Sequence, residues 1–411
     1  MFALTPARLT QKLLLILLAL TPLFSLFEVI ALFEGTIKSQ AEALTPPFIK
    51  VLRDIGWILA ILLGTVRILL QKRFSPYLLL CMGLVALSIY AAATSLLLSP
   101  YLAASGIRWV IPTILVFFLI DQIDEQFIRR AYVVMRVLLI LQLAVQFGQF
   151  FFASDWYGKN ALGFAARSPG FFLIPSTGAF FTILCFFLSQ FYATSRTQKV
   201  IVGILCFVST LLTASGTGYM VFAAVLLLIF VGQRYVRVAL PVILVFGALS
   251  FPFLMQMTGR GDNYAQISFG SRVDTFIDSV EHGTVLPGYF GLGTNTGVLL
   301  GSSLDLPLQA RILDSTFTSI LVNLGFLGFG IFLMLLILWI GCVMYLNKLE
   351  LYAFTVIFVC FGAVTIVPEC FPANLLFAAL MAYYSRRYVR FGFDGQSRIF
   401  EPRATATTAA E

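Results

Sequence analysis

The chain has 411 residues, of which 60% are hydrophobic and only 11% are charged, with a formal net charge of +8. Soluble domains carry about 25% charged residues. The composition, with a mean hydropathy of +0.95, therefore excludes an ordinary soluble protein and indicates a chain that crosses a membrane many times. The positive charge is divided among short segments between apolar runs, which argues against a nucleic-acid partner.

Apolar runs of roughly 20 residues predict membrane-spanning helices along the chain. The first run, 13–33, is too long for the core of a signal peptide and lacks a small-residue cleavage site, which favours a retained span. Two short runs are separated by ASGTG, a sequence typical of a tight turn. The twelve predicted spans are 13–33, 51–70, 77–98, 104–121, 131–152, 170–192, 199–213, 217–233, 238–257, 326–346, 351–367 and 373–388.

Basic residues collect in alternate connections between these spans, and such connections face the cytoplasm in multi-pass proteins. With twelve spans, all of them fall on one side, and both termini are predicted to be cytoplasmic. The basic residues concerned are Arg8, Lys12, Lys72, Arg73, Arg129, Arg130, Arg196, Lys199, Arg234, Arg237, Lys348, Arg386, Arg387 and Arg390.

This topology predicts an all-α, polytopic transmembrane domain over residues 1–390 and a polar, disordered cytoplasmic tail at 391–411. A large loop at about 258–313 faces outward, to the periplasm or the cell exterior. Within it, RVDTFIDSVEHG has apolar residues at helical spacing, which predicts a short helix on the bilayer surface. The six cysteines lie in or beside apolar runs without a CxxC pair, which indicates packing residues.

Several arginines are exceptions to the rule that basic residues lie in cytoplasmic connections, because they lie on the predicted outward side. An arginine within the bilayer costs on the order of 3 kcal/mol, so it needs a partner or a polar cavity. For each one alone, the alternative explanation is snorkelling to lipid headgroups or pairing with Asp54, Asp262, Asp274 or Asp278. As a group they suit an anion at the membrane surface, because guanidinium groups bind phosphate in a bidentate manner. These arginines are Arg53, Arg108, Arg167, Arg260, Arg272 and Arg311.

Two residues are candidates for a general base. His282 is the sole histidine; it follows Glu281, which could orient its ring, and precedes the glycine-rich GYFGLGTNTG, which would let backbone approach a ligand. The alternative interpretation is an ordinary surface histidine. Asp314 precedes an apolar helical run that is predicted to break at Gly325 and Gly328, so it is either a helix N-cap or a catalytic or sugar-binding residue.

Three glutamines occupy one helical face of the fifth predicted span. Gln142, Gln146 and Gln149 indicate either a polar path for sugars or hydrogen bonding between helices. The sequence contains no spacing typical of a metal site, and no motif for a nucleotide-sugar and its divalent ion.

Four motifs in order carry a family resemblance: RSPGFF before a middle span, LLTASGTGY two spans later, SRVDTF with GLGT in the outward loop, and DSTFTSILVNLGFLGFG after it. This pattern resembles the Wzy-type O-antigen and exopolysaccharide polymerases and, more distantly, the O-antigen ligases. The resemblance implies a metal-independent, GT-C-like glycosyltransferase without a cofactor. It would join undecaprenyl-pyrophosphate-linked oligosaccharide repeat units at the periplasmic face of the bacterial inner membrane, with a chain-length regulator and a flippase as candidate partners.

By the resemblance, Arg167 and Arg272 match arginines that bind the pyrophosphate, and Arg260 and Arg108 are further candidates. The ligases carry a His-Asn pair where this chain has Asp314-Ser315, which favours a polymerase. A polyprenyl diphosphate is a good leaving group, so the protein needs only to stabilise the charge that develops on it, and arginines can do this. One base, His282 or Asp314, would activate the incoming hydroxyl, and direct displacement would invert the anomeric carbon.

Two other functions remain open. A ligase would transfer the glycan to a lipid or protein acceptor. A transporter of polysaccharide or lipid-linked sugar would bury charges near the bilayer midplane, and the predicted spans are nearly free of them. Arg67 and Arg136 are the exceptions, and both lie close to cytoplasmic ends.

Overall fold

The computed structural model describes residues 5–36, 44–71, 76–160, 162–257, 262–288, 290–294 and 315–388. These residues form helices, joined by short 3₁₀ turns at Thr21–Ser25, Gly170–Phe172 and Val367–Glu369, and one isolated bridge between Lys159 and Ala165. The α-helices are α1 Pro6–Ala19, α2 Leu26–Phe33, α3 Pro47–Gln71, α4 Pro76–Leu96, α5 Pro100–Leu119, α6 Glu125–Phe152, α7 Ser154–Tyr157, α8 Pro175–Tyr192, α9 Arg196–Thr213, α10 Gly216–Met257, α11 Asp262–Glu281, α12 Thr316–Leu346, α13 Leu349–Val364 and α14 Ala373–Tyr388.

The all-α prediction is confirmed for the described residues. Each predicted span overlaps at least one described helix, although the span 170–192 begins before α8, which starts at Pro175. By length and composition, five described helices could cross a membrane: Pro100–Leu119, Glu125–Phe152, Arg196–Thr213, Gly216–Val236 and Thr316–Leu346. The number rises to six if a bent pair near the start of the chain counts as one span. The chain is therefore a multi-pass membrane protein, and the count of twelve spans stays a prediction. The tail 391–411 lies outside the described residues.

The first predicted span is not one helix, and this corrects the prediction for 13–33. The chain leaves α1 after Ala19, passes through the 3₁₀ turn Thr21–Ser25 and enters α2 with a bend of 44°. Pro22 explains the break, because proline lacks an N–H and its ring clashes with the carbonyl four residues earlier. The Thr21 hydroxyl donates to the Leu18 carbonyl at 2.7 Å and so occupies one of the carbonyls at the end of α1.

Two long helices are interrupted at glycines with positive φ. In α10 the break is at Gly232 (φ 71°), which separates the predicted spans 217–233 and 238–257. In α12 it is at Gly325 (φ 66°), as predicted, whereas Gly328 continues the helix. The turn predicted from ASGTG is also confirmed, since α9 ends at Thr213 and α10 begins at Gly216.

The core surrounds α8, which packs against α6, α9, α10 and α13. Its side chains Phe180, Phe181 and Phe187 are completely buried, and Phe180 stacks on Phe361 of α13 with ring centroids 4.4 Å apart. The cysteines are free, and four of them, including Cys185 and Cys206, are buried, as expected of packing residues.

One end of the bundle, which we call the basic end, gathers connections that were predicted to face the cytoplasm. Arg67 at the end of α3 and Arg386 of α14 both donate to the Asp121 carbonyl after α5. Gln11 of α1 donates to the next carbonyl, that of Gln122, at 2.6 Å. At the start of α6, Glu125 pairs with Arg129 at 2.7 Å. The first and last described helices therefore reach the same end of the bundle.

The opposite end, which we call the loop end, gathers connections that were predicted to face outward. Residues 290–294 dip between α4, α5 and α12: Ser95 donates to the Phe290 carbonyl at 2.9 Å, and the Ser105 and Thr294 hydroxyls lie 2.5 Å apart. The start of α12 and the end of α13 meet here too, since Thr316 donates to the Thr365 carbonyl at 2.7 Å. α3, α5 and α14 each run from one end to the other.

Candidate functional site

The segment that carries Arg167 lies at the loop end and leaves helical geometry before α8 begins. Its backbone is held by the three glutamines of α6, all with 0% exposure. Gln142 donates to the Pro169 carbonyl at 2.7 Å, Gln146 donates to the Ser168 carbonyl at 3.0 Å, and Gln149 donates to the Gly170 carbonyl at 2.8 Å. The glutamines therefore serve hydrogen bonding within the protein, which decides between the two interpretations of their spacing.

The Arg167 side chain is half-buried and forms no ion pair or hydrogen bond with any residue that the structure describes. A guanidinium group that is partly withdrawn from water without a partner is costly to keep. Arg167 is thus available to an anion.

Arg108 is differently placed, because it shares a carboxylate with another arginine. The Asp54 Oδ1 atom of α3 lies 3.2 Å from Arg108 Nε and 3.4 Å from Arg53 Nε. Arg108 is 42% exposed, so its outer face remains open to water. The pairing with aspartate that was the alternative explanation therefore applies to Arg53 and Arg108.

Aromatic contacts connect the cluster of Asp54, Arg53 and Arg108 to the segment that carries Arg167. The Arg53 guanidinium lies 6.0 Å from the Phe24 ring centre and 5.6 Å from that of Phe371, within cation–π range. The two rings meet edge to face at 5.3 Å. Beside Phe24, the Ser25 hydroxyl donates to the Phe171 carbonyl, four residues after Arg167. Arg108 and Arg167 therefore belong to one connected end of the bundle, without a described contact between their side chains.

Arg272 and His282 both lie at α11, which is longer than the short helix predicted for this loop and runs from Asp262 to Glu281. Arg272 is half-buried and interacts with its surroundings. His282 follows the last turn and is 41% exposed. Within the described residues, no hydrogen bond or ion pair joins either side chain to Arg108 or Arg167.

The partner of His282 is Asp278 and not Glu281, which corrects the prediction. Residues four apart on a helix share a face, whereas adjacent residues diverge. The ring Nδ1 lies 3.0 Å from the Asp278 carbonyl oxygen and 3.3 Å from its carboxylate Oδ1. Both neighbours are acceptors, so in the neutral ring Nδ1 carries the proton and Nε2 keeps its lone pair. That tautomer can accept a proton from a hydroxyl group.

The described part of the glycine-rich turn after His282, residues 290–294, packs against protein. A Cβ on Gly291 (φ 91°) would lie 2.0 Å from the Leu102 carbonyl oxygen of α5. The Asn323 Oδ1 atom of α12 accepts from the Gly291 N–H at 2.8 Å and from the Gly293 N–H at 3.1 Å. Asn323 was not predicted as important, although a completely buried amide in an otherwise apolar helix is a visible signal.

Three of the candidate residues, Asp314, Arg260 and Arg311, lie outside the described residues. The neighbour of Asp314 is described: Ser315 occupies the N-cap position of α12, yet its hydroxyl points to the Gly362 carbonyl at 3.4 Å and makes no capping bond. The predicted Asp-Ser cap is therefore not formed by the serine side chain.

Cys370 lies at the loop end between the turn Val367–Glu369 and α14. Burial raises the pKa of the Cys370 thiol to about 11, so the thiol stays protonated at neutral pH. Its sulfur lies 3.4 Å from the Thr365 hydroxyl and 3.8 Å from that of Thr177. A protonated, buried thiol is a poor nucleophile, which argues against covalent catalysis by this cysteine.

An apolar cavity of about 250 Å³ lies between α4, α5, α12, α13 and α14. It is lined almost entirely by aliphatic and aromatic side chains, including Trp109, Ile331 and Phe358. Trp109 and Pro368 line its wall, and their sequence neighbours Arg108 and Glu369 are charged. The cavity therefore extends to the loop end of the bundle. A few hydroxyl and amide groups, among them Thr316 and Asn374, line it as well.

Among the described residues, no group of three or more His, Cys, Asp or Glu side chains is arranged to hold a metal ion. Comparison of the chain with protein-family models, with curated proteins and with solved structures gives no match. The resemblance to polysaccharide polymerases therefore rests on the order of the sequence motifs.

Proposed function

We propose that this chain is a metal-independent, inverting glycosyltransferase of the bacterial inner membrane. It polymerises undecaprenyl-pyrophosphate-linked oligosaccharide repeat units at the periplasmic face, and both of its termini are cytoplasmic. The observation that carries the proposal is Arg167, a half-buried guanidinium without an ionic partner among the described residues, on a fixed segment at the end opposite the basic end. A partnerless cation at a membrane surface suits a phosphate-bearing lipid headgroup.

In the proposed mechanism, Arg167 binds the diphosphate of the donor and Arg272 and Arg260 add positive charge. Arg108 contributes more weakly, because the anion must compete with Asp54 for it. Charge on the departing diphosphate grows as the glycosidic bond breaks, so these groups stabilise the transition state more than the ground state. His282, with its Nε2 lone pair, or Asp314 accepts the proton of the attacking hydroxyl.

The polymerase is distinguished from a ligase by its products. Purified protein would receive a synthetic lipid-linked repeat unit as the only sugar substrate. A polymerase uses this compound as donor and acceptor, so a ladder of products that grow by one repeat unit supports the proposal. A ligase gives no ladder until a second acceptor is added, and uptake of the compound into vesicles without new bonds would indicate a transporter.

The apolar cavity supports a lipid-linked substrate, because each buried methylene of a prenyl chain contributes about 0.8 kcal/mol. Ile331→Trp should fill part of the cavity and lower the apparent affinity for a long-chain donor about tenfold, while a donor with a two-isoprene chain is unaffected. The matched control is Ile337→Trp on the same helix, where the side chain is 69% exposed. Equal effects of both variants on both donors would contradict the assignment.

A further inference from the structure

We infer that Gln142, Gln146 and Gln149 are positioning residues for Arg167: they fix the backbone that presents this arginine to an anionic ligand. The inference rests on the proposed function, in which Arg167 binds the diphosphate. It goes beyond that function because it assigns a role to three side chains that touch no substrate.

The three side chains lie on one face of α6, since positions i, i+4 and i+7 of a helix are aligned. They bond to consecutive residues of the facing segment, beginning with Ser168 and ending with Phe171. Gln142 also accepts from the Phe171 N–H at 3.1 Å, and Gln149 accepts from the Gly170 N–H at 2.6 Å. The Gln142 and Gln149 amides thus each donate one hydrogen bond to the segment and accept one from it, as the backbone of a neighbouring β-strand would.

Two further contacts complete the pattern. The Ser168 N–H donates to the Leu212 carbonyl at the end of α9 at 2.7 Å, and the Phe171 carbonyl accepts from Ser25. Every backbone N–H and C=O group between Ser168 and Phe171 is therefore hydrogen-bonded. On the other side of Arg167, the Ala166 N–H donates to the Gly158 carbonyl at 2.8 Å. Arg167 thus extends from a backbone fixed on both sides.

A role in helix packing alone does not explain this arrangement. Gln146 also joins α6 to α9, because it donates to the Ser209 carbonyl at 3.1 Å and accepts from the Ser209 hydroxyl at 2.7 Å. The bonds of Gln142 and Gln149, by contrast, go to the backbone of the facing segment. The segment lacks the backbone hydrogen bonds that a helix would give it, and water cannot replace them because the site is buried. The three glutamine amides supply hydrogen bonds in their place. Gly170 (φ 73°) is needed for the close approach, because a Cβ there would lie 2.2 Å from the Gln142 amide. A non-helical segment thus follows Arg167 directly, and three buried glutamine amides satisfy its backbone hydrogen bonds.

The consequence for binding is preorganisation. An arginine on a mobile loop loses conformational entropy when it binds an anion, whereas an arginine on a fixed backbone loses less. Removal of one glutamine would leave the facing N–H or C=O group without a partner, and the segment would shift to find one. Small displacements at a charged site change affinity strongly. The Arg167 guanidinium would therefore bind the diphosphate more weakly.

The test measures equilibrium binding of a soluble, short-chain prenyl diphosphate to the purified full-length protein, with thermal unfolding recorded for each variant. Gln149→Ala is expected to weaken binding by about tenfold or more. Gln11→Ala is the matched control, because it also removes a buried amide that bonds to a backbone carbonyl, but at the basic end. It should lower the unfolding temperature and leave binding unchanged. If Gln149→Ala does not accumulate, Gln142→Met, which preserves volume, replaces it.

The outcomes separate the inference from the proposed function. If Arg167→Ala abolishes binding and Gln149→Ala weakens it while Gln11→Ala does not, the positioning role is supported. If Arg167→Ala abolishes binding but Gln149→Ala behaves like Gln11→Ala, the positioning role is overturned and the proposed function stands. If Arg167→Ala leaves both binding and polymerisation intact, the proposed site itself is wrong and the inference fails with it.

Discussion

Replacing Arg167 with alanine is expected to lower polymerisation by at least about 100-fold, with protein still inserted in the membrane at normal levels. The loss of one preorganised donor to a developing anion commonly costs that much. Arg167→Lys should retain part of the activity, because lysine keeps the charge but loses the bidentate geometry. Arg272→Ala is expected to abolish long-chain polysaccharide in the same way. The measurement is the chain-length distribution made by cells and by purified protein.

The control for these variants is Arg130→Ala, which removes an exposed arginine at the basic end. It should leave chain-length distributions unchanged. If Arg167→Ala and Arg130→Ala give the same normal ladder, then Arg167 does not bind the diphosphate. If both lose activity together with protein, the effect is one of membrane insertion and charge placement, and the assigned role in binding is contradicted.

Gly291→Ala is expected to destabilise the fold by about 3 kcal/mol or more. The added Cβ would lie 2.0 Å from the Leu102 carbonyl oxygen, which belongs to the backbone of α5 and cannot move aside cheaply. The positive φ of 91° adds strain that only glycine avoids. Residues 290–294 would have to leave their place between α5 and α12, with loss of the Asn323 hydrogen bonds. The measurement is thermal unfolding of the purified protein together with its yield.

Gly330→Ala is the matched control for this substitution. It lies in α12, where a Cβ would meet nothing within 4 Å and the backbone is helical, so stability should be unchanged or slightly increased. Equal unfolding temperatures for the two variants would show that the glycine-rich turn is not packed against α5 as described.

Local patterns predicted much of the fold. The apolar runs predicted where helices lie. Among the described residues, two of the basic connections meet at one end of the bundle, because Arg386 of α14 donates to the Asp121 and Ile123 carbonyls between α5 and α6. The glycine breaks at Gly232 and Gly325 also follow from local rules, since glycine alone takes a positive φ without strain. Pro22 is an equally local signal for the break after Ala19, but the run around it is apolar enough to suggest one continuous span. The Asp278–His282 pair likewise follows from the helical spacing of four residues.

Contacts between distant segments could not be predicted in this way. The spacing of Gln142 and Gln149 showed that they share a face, but their partners lie 27 and 21 residues further along the chain in a non-helical segment. The glycine-rich turn suggested an open ligand site because small residues permit close approach, and only the fold reveals that α5 is what approaches. Asp54 is one of four aspartates that the sequence offers as partners for the outward arginines, and only the packing of α3 against α5 identifies it as the partner of Arg108.

The most direct measurement is elongation of a synthetic undecaprenyl-pyrophosphate-linked repeat unit by the purified protein in an excess of metal chelator. Guanidinium groups keep their charge under these conditions, so the product ladder should be the same with and without the chelator. Activity that disappears on chelation and returns when magnesium is added would mean that a divalent cation, and not the arginines alone, neutralises the departing diphosphate.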